Sequence, residues 1–163
     1  GMLIQKQKMQ NIDLYGTIDT CICTLDSINH ITNKDDVQKT FSKVSFFMNP
    51  EALFIFDVNT LYKHQKVLGN NTFVYDTSKV YCVWQNSLCK DNRTVDISLD
   101  FFQRDGDIYR RYSENFMERA YTHIEICEML EKAGFKLLDV FGEMSFDKPT
   151  ETSQRNFYIA KKL

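Results

Sequence analysis

The sequence predicts an α/β fold interrupted by an antiparallel insert, and three observations carry that reading. Two short apolar runs, residues 18–25 and 52–58, flank one amphipathic helical segment, which is the grammar of a βαβ unit with a right-handed crossover. Residues 72–121 switch to long segments with a period of two, the pattern of a sheet with one packed face. From Thr122 a helical pattern and then strand patterns return, so the chain closes on the sheet where it began. A length of 163 residues suits a single domain, 1–163, with a βαβ core at 15–71, the insert at 72–121 and a closing helix and strands at 122–163.

Residues 3–12 are polar and weakly patterned. The stretch "TIDTCICTLDSINHI", residues 17–31, reads as a buried strand that ends in polar side chains. Ligands of open α/β sheets bind beyond the carboxyl ends of strands, so Asp26, Ser27 and Asn29 stand where one wall of a site belongs. Ser and Asn are equally ordinary in a turn that leads into a helix. Thr32 or Asn33 caps that helix, and Asp35 and Asp36 occupy its first turn, where carboxylates favour the positive end of the dipole. Val37, Phe41, Val44 and Met48 form its apolar stripe, and Pro50 ends it. "ALFIFDV", residues 52–58, is nearly continuous in apolar side chains, as a parallel strand buried on both faces requires. Asp57 and Asn59 then repeat the polar tip.

Within the insert, breaks at Lys90-Asp91-Asn92 and Asp105-Gly106 delimit three or four strands; Asp-Gly between alternating segments signals a type I′ hairpin. Val95, Ile97, Leu99 and Phe101 share one face, with Asp96, Ser98 and Asp100 opposite, and Trp84 belongs to the core. Thr122 and Glu125 form a capping box. Ile126, Leu130 and Ala133 make the buried stripe of the second helix, and Gly134 suits its C′ position. Residues 135–141 and 156–162 are closing strands joined by the polar loop "GEMSFDKPTETSQR".

Hydrophobic residues at 43% and aromatics at 13% supply a core, while a formal charge of -2 gives no basic field for nucleic acid or an anionic membrane. The five cysteines, Cys21, Cys23, Cys82, Cys89 and Cys127, are odd in number, lack C-x-x-C spacing and lie in apolar runs. That usage fits reduced cytoplasmic thiols; with three scattered histidines, no metal site is expected. No apolar run approaches the roughly 20 residues of a membrane span, and no basic-then-apolar leader is visible, so the reading is a soluble cytoplasmic protein. Gly1-Met2 has the form of a tag scar before a start methionine.

The pieces "IDTCICTLDSINHI", "ALFIFDVNT", the insert ending "YSENFMERAYTHIEICEMLEKAGF" and the terminal "QRNFYIAKK" together resemble, in order and over nearly the whole chain, the C-terminal two-thirds of a bacterial class I S-adenosylmethionine-dependent methyltransferase. The resemblance implies the Rossmann-like sheet of that family, ordered 3-2-1-4-5-7-6. Residues 18–25 correspond to its fourth strand, 53–58 to the fifth, 135–141 to the sixth and 156–161 to the seventh, with helices on the faces. Residues 3–14 correspond to the end of the third strand and its loop, and the insert is a lid between the fifth strand and the next helix. Strands one and two have no counterpart. The resemblance also implies S-adenosylmethionine as cofactor and a small-molecule methyl acceptor. It makes Asp26, Ser27, Asn29 and Met9 a remnant of the cofactor rim, and turns Asn59, Tyr109, Arg111 and Arg119 toward the acceptor.

The sequence also departs from the family. Its six glycines never stand as G-x-G, so the loop that lets backbone approach the cofactor is missing. The carboxylate that follows the second strand is missing too. Lys8 precedes Met9 where the family offers an Asp to the adenine amino group, and an ammonium has donors only. Cofactor binding by this chain alone is therefore expected to be weak or absent. Beside the enzyme reading stand a non-catalytic remnant serving binding or association, and an unrelated α+β binding module. The insert's Tyr109, Arg110, Arg111, Tyr112, Glu114, Glu118 and Arg119 also suit cross-strand ion pairs on a solvated face. His30 and His123 show no catalytic partner. A fourth strand without a first presents unpaired backbone along an apolar edge, so either residues 3–12 fold back over it or two copies join there as a homodimer.

Overall fold

The computed structural model describes residues 4–163. Gly1, Met2 and Leu3 lie outside the described residues, and with them the reading of Gly1-Met2 and the first residue of the 3–12 segment. In chain order the elements are a 3₁₀ turn (Met9–Asn11), β1 (Ile18–Cys23), α1 (Lys34–Phe47), β2 (Met48–Asn59), a π-helical turn (Lys63–Leu68), β3 (Thr72–Asp76), β4 (Val80–Leu88), β5 (Thr94–Asp105), β6 (Ile108–Arg119), α2 (His123–Lys132), β7 (Phe135–Gly142) and β8 (Arg155–Lys162). They form a main sheet, β1-β2-β8-β7, and an antiparallel lid sheet, β3-β4-β5-β6. The main sheet reproduces the expected 4-5-7-6 order: β1 runs parallel to β2, and β8 is antiparallel to both its neighbours.

The core lies on one face of the main sheet. Phe54, Phe56 and Val58 of β2 and Tyr158 and Ala160 of β8 meet Val37, Phe41 and Val44 of α1 and Ile126, Met129 and Leu130 of α2. Phe56 stacks on Tyr158 with centroids 5.1 Å apart, and Phe41 meets Phe54 edge-on at 5.6 Å. Both helices pack on this face, so the body has two layers where the sequence suggested helices on both. Among the described residues no helix covers the other face. There Ile55, Phe141, Phe157 and Ile159 floor an open cavity of about 290 Å³ bordered by Met144 and Phe146.

Several boundaries differ from expectation for identifiable reasons. The polar tip begins at Thr24, because β1 stops at Cys23 and the chain turns through left-handed Leu25 (φ 59°) and Asp26 (φ 50°). Asn33, rather than Thr32, caps α1 by accepting from the Asp35 N–H at 2.8 Å. Met48 and Pro50 fall in β2, where the register jumps from Ile18 opposite Met48 to Thr20 opposite Leu53, a bulge that gives Pro50 a place without a ladder bond. The lid has four strands, and its central hairpin loop is Gly106-Asp107, since Asp105 pairs with Ile108. Gly106 alone has positive φ there (64°), which suits a type II′ turn in place of the expected I′. The Thr122–Glu125 capping box forms as expected, and Gly134 adopts φ 79° after α2.

Residues 4–12 hold no strand; their 3₁₀ turn packs on α1. Among the described residues β1 therefore pairs only with β2, and the expectation that this segment folds back over the β1 edge is overturned. Ile22 on that strand is 65% exposed.

Candidate functional site at the strand tips

The left-handed turn after β1 aims the Asp26 N–H at Asp57 Oδ2, 2.9 Å away across the parallel pair. Asp57 belongs to the uncovered face of β2 yet is fully buried, because Arg155 at the start of β8 reaches over it, Nη1 to Oδ2 3.1 Å. The other guanidinium nitrogen lies 3.4 Å from Asp26 Oδ1, so one arginine neutralises both strand tips. The second Asp26 oxygen accepts from Asn59 Nδ2. Asn59 Oδ1 in turn accepts from Lys63 Nζ at 2.9 Å.

Asn29 is fully buried and joins the two sheets. Its Oδ1 accepts from the Asn59 N–H at 2.8 Å, and its Nδ2 donates to the carbonyls of Asn59 (3.1 Å) and Arg119 (2.9 Å). Its own carbonyl accepts from the Arg119 N–H at 2.8 Å. The side chain predicted to line a rim thus sits behind it and fastens the end of β6 to the end of β2. Ser27 makes a local bond to the Thr24 carbonyl. Met9 is half-buried against the helix-side core.

The residues predicted to face an acceptor separate into two groups. Asn59 and Arg119 meet through Asn29, whereas Tyr109 and Arg111 lie toward the far end of β6. At about 3.3 Å per residue, Tyr109 is roughly 30 Å along the strand from Arg119. Arg111 is held there by Asp100, 2.8 Å away, and lies over the Phe102 ring.

Four residues at the tip were not singled out from sequence: Arg155, Lys63 and the buried pair Glu118 and His64. Glu118 was grouped with a solvated charged face, but it pairs with Val95 and is buried at the base of the lid. Its Oε2 accepts from Asn59 Nδ2 at 3.2 Å and lies 3.8 Å from His64 Nε2; its Oε1 is 3.6 Å from His30 Nε2. His30 thus has an acidic neighbour after all. His64, on the π-helical turn, is fully buried, with Nδ1 2.8 Å from the Arg93 carbonyl and Nε2 without a hydrogen-bond partner. Burial, then the nearby Asp26 carboxylate, pushes the Glu118 carboxyl above its ordinary range, against the pull of His30, Asn59 and Lys63. Burial holds the His64 imidazole below its usual value, and burial and then Arg155 do the same to the Lys63 ammonium. The register of the β5–β6 hairpin was the signal that could have found Glu118, since a two-residue loop at Gly106 puts it opposite Val95 on the apolar face.

The tip's donors and acceptors are largely spent on one another. The glycine ahead of β1, Gly16, has open space around it and makes no close approach. The residues present do not by themselves form a cradle for S-adenosylmethionine. Among the described residues no helix is long and apolar enough to cross a membrane, and no group of three or more His, Cys, Asp or Glu side chains is placed to hold a metal.

A one-sided α/β sheet with an antiparallel insert after the second strand defines the chain as part of a Rossmann-like methyltransferase fold, and comparison with known proteins agrees. A crystal structure of an S-adenosylmethionine-dependent methyltransferase from Clostridium acetobutylicum ATCC 824 superposes with a TM-score of 0.90 at 36% identity, covering 96% of this chain and 63% of that one. YqeM of Bacillus subtilis (strain 168), which carries a provisional methyltransferase name, is 30% identical over 162 residues, 99% of this chain and 66% of its own. CalS10, an amino pentose methyltransferase, shares the fold with a TM-score of 0.73 at 14% identity, covering 96% of this chain and 63% of its own. No family model matches the sequence. The chain belongs to the S-adenosylmethionine-dependent methyltransferase family. It spans just under two thirds of the length of these relatives.

Proposed function

We propose that these 163 residues supply the acceptor-side part of an S-adenosylmethionine-dependent methyltransferase that acts on a small molecule, and that alone they bind the cofactor weakly or not at all. The observation that carries the reading is the pairing of an occupied tip with an open edge. Asp26, Asp57 and Asn59 stand at the carboxyl ends of β1 and β2, where this family places its cofactor, yet the β1 edge that would carry the opposite wall is unpaired in the described chain. A cavity of about 210 Å³ lined by Thr60, Tyr62, Tyr121, His123, Asn156 and Tyr158 opens directly after Asn59 and offers room for part of a small acceptor. In this reading Asp26 is the rim residue nearest the cofactor, Ser27 and Met9 are peripheral, and Asn59 and Arg119 flank the acceptor. Tyr109 and Arg111 serve the outer end of the lid.

The test is complementation. The part of the Clostridium methyltransferase that lies outside the matched region is produced separately and mixed with this chain, and retention of radiolabelled S-adenosylmethionine is measured for each alone and for the mixture. Retention by the mixture only is expected. Retention by neither component nor the mixture favours the second reading, a non-catalytic association module, for which the capture of Asp26 and Asp57 by Arg155 is the specific support.

A further inference from the structure

The Glu118–His64 contact has a geometry that ordinary packing does not explain. His64 is fully buried, and its Nδ1 faces a carbonyl, which only accepts; Nδ1 must therefore carry the ring proton. In a neutral ring Nε2 is then a bare lone pair, with the nearest carboxylate oxygen, Glu118 Oε2, 3.8 Å away. An ionised Glu118 would set an anion against that lone pair, and the Asp26 carboxylate adds its own repulsion to the Glu118 charge. A buried acceptor facing a buried anion is costly, and one proton placed between them removes the conflict.

We propose that Glu118 and His64 hold a single proton between them, and that this proton fastens the lid sheet to the β1–β2 tip, making Glu118 a positioning residue for the site. The inference rests on the proposed function for its biological meaning, though not for its test. Glu118 is on β6, His64 on the π-helical turn, and Asn59, which donates to the same carboxyl, is the last residue of β2. One protonated carboxyl therefore ties three elements. A movement of under about 1 Å closes the gap to hydrogen-bond length. The other charged or titratable groups facing the pair are Asp26 and His30 from the loop after β1, Lys63 from the π-helical turn, and Asp91 from the turn between β4 and β5, which acts on the His64 ring. Asp26 opposes loss of the proton, whereas Lys63 and a protonated His30 favour it. When the proton leaves, the carboxylate faces Nε2 directly, the tie is lost and the base of β6 loosens. The Asn59 bond survives the change, because a carboxylate accepts more strongly than a carboxylic acid, so the loosening is confined to the His64 side of the carboxyl.

The experiment uses the whole chain with no cofactor: ring nitrogen and proton shifts of His64, and hydrogen exchange of the amides of residues 116–119, both followed from about pH 5 to 9. In the wild type, the His64 ring is expected to stay neutral with its proton on Nδ1. A single transition shared by the ring shifts and the amide rates should accompany loss of the proton, with exchange faster above it. Glu118→Gln supplies a permanent N–H donor to Nε2, so it should keep the slow exchange throughout and lack the transition. Glu118→Ala should exchange these amides about tenfold faster than Glu118→Gln. A charged His64 ring at pH 7 would overturn the proposal, since the contact would then be a plain ion pair. Indistinguishable pH profiles for wild type and Glu118→Gln would overturn it equally. Neither outcome depends on whether the chain binds S-adenosylmethionine, so failure here leaves the complementation test intact.

Discussion

The two ends of β1–β2 pairing and the two sides of the sheet teach opposite lessons. At the carboxyl tips, buried or half-buried polar groups are matched by Arg155, Lys63, Asn59 and Asn29. Along the outer edge of β1 and over the uncovered face, backbone bonds and the apolar groups Ile22, Ile55, Phe157 and Ile159 are left without a partner layer among the described residues. The tip, which looks functional by residue type, spends most of its polar groups on internal partners and leaves Asp57 Oδ1 and His64 Nε2 buried without one; the edge, which looks merely structural, is where a whole layer is wanting. Polar side chains at a strand end therefore mark a ligand site only after their internal partners have been counted.

The sharpest way to break this comparison is to truncate adjacent residues on opposite faces of β2. Phe56→Ala on the helix-covered face should cost about 4 kcal/mol of unfolding free energy in urea titrations. Ile55→Ala on the open face should cost about 1 kcal/mol, because less surface is removed from a packed layer. Equal losses would mean that both faces are buried in solution. Next in size, Asn29→Ala removes the clamp between the sheets and leaves the Asn59 N–H and two carbonyls short of partners. A loss of about 3 kcal/mol is expected, against about 0.5 kcal/mol or less for Ser27→Ala two residues away. Comparable effects would restore Ser27 to an equal structural role.

The pH dependence of stability sharpens the electrostatic half. Because the folded Glu118 pKa is raised above its ordinary 4.5, its contribution is fully present below that value and is lost as pH rises through the folded value. His64, lowered from 6.5, acts in the opposite sense: its contribution is present above 6.5 and is lost as pH falls through its folded value. Glu118→Gln removes the first dependence and keeps the second, so its stability relative to wild type should climb as pH rises above about 4.5 and level off once the folded wild-type carboxyl has ionised. A flat difference would place Glu118 in solvent. The smallest energetic effect belongs to the edge. Ile22→Lys should change stability by about 0.5 kcal/mol or less, yet convert an isolated chain that pairs with a second copy along β1 into a monomer by light scattering. A monomeric wild type would remove the dimer from the account.

Much of the fold was legible in the sequence because periodicity and caps acted locally and agreed with the final packing. The Asn33 and Thr122 caps, the 52–58 run and the alternation of the lid each pointed to the element that forms. The boundaries at Cys23 and Met48 were not legible, since they depend on two left-handed residues and a bulge that answer to the neighbouring strand. The π-helical turn passed unnoticed because Leu61, His64 and Leu68 carry too short a stripe to distinguish it from a loop. In the site, Asp26, Asn29 and Asn59 were visible as polar residues ending apolar strands, but their consumption by one another was not. That depends on Arg155, about 100 residues beyond Asp57 and about 130 beyond Asp26 in sequence, arriving through a strand that pairs antiparallel to β2. Glu118 and His64 were missed because charge suggests exposure, and only tertiary register reverses it.

The most direct test of the central claim is calorimetric titration of the 163-residue chain with S-adenosylmethionine and S-adenosylhomocysteine, at concentrations able to reveal a dissociation constant near about 1 mM. Heats of dilution only are expected, since Asp26 and Asn59 are engaged by internal partners and the opposite wall is not among the described residues. Saturable binding with a stoichiometry near one would contradict the claim, showing that residues 4–12 or a second copy complete the site.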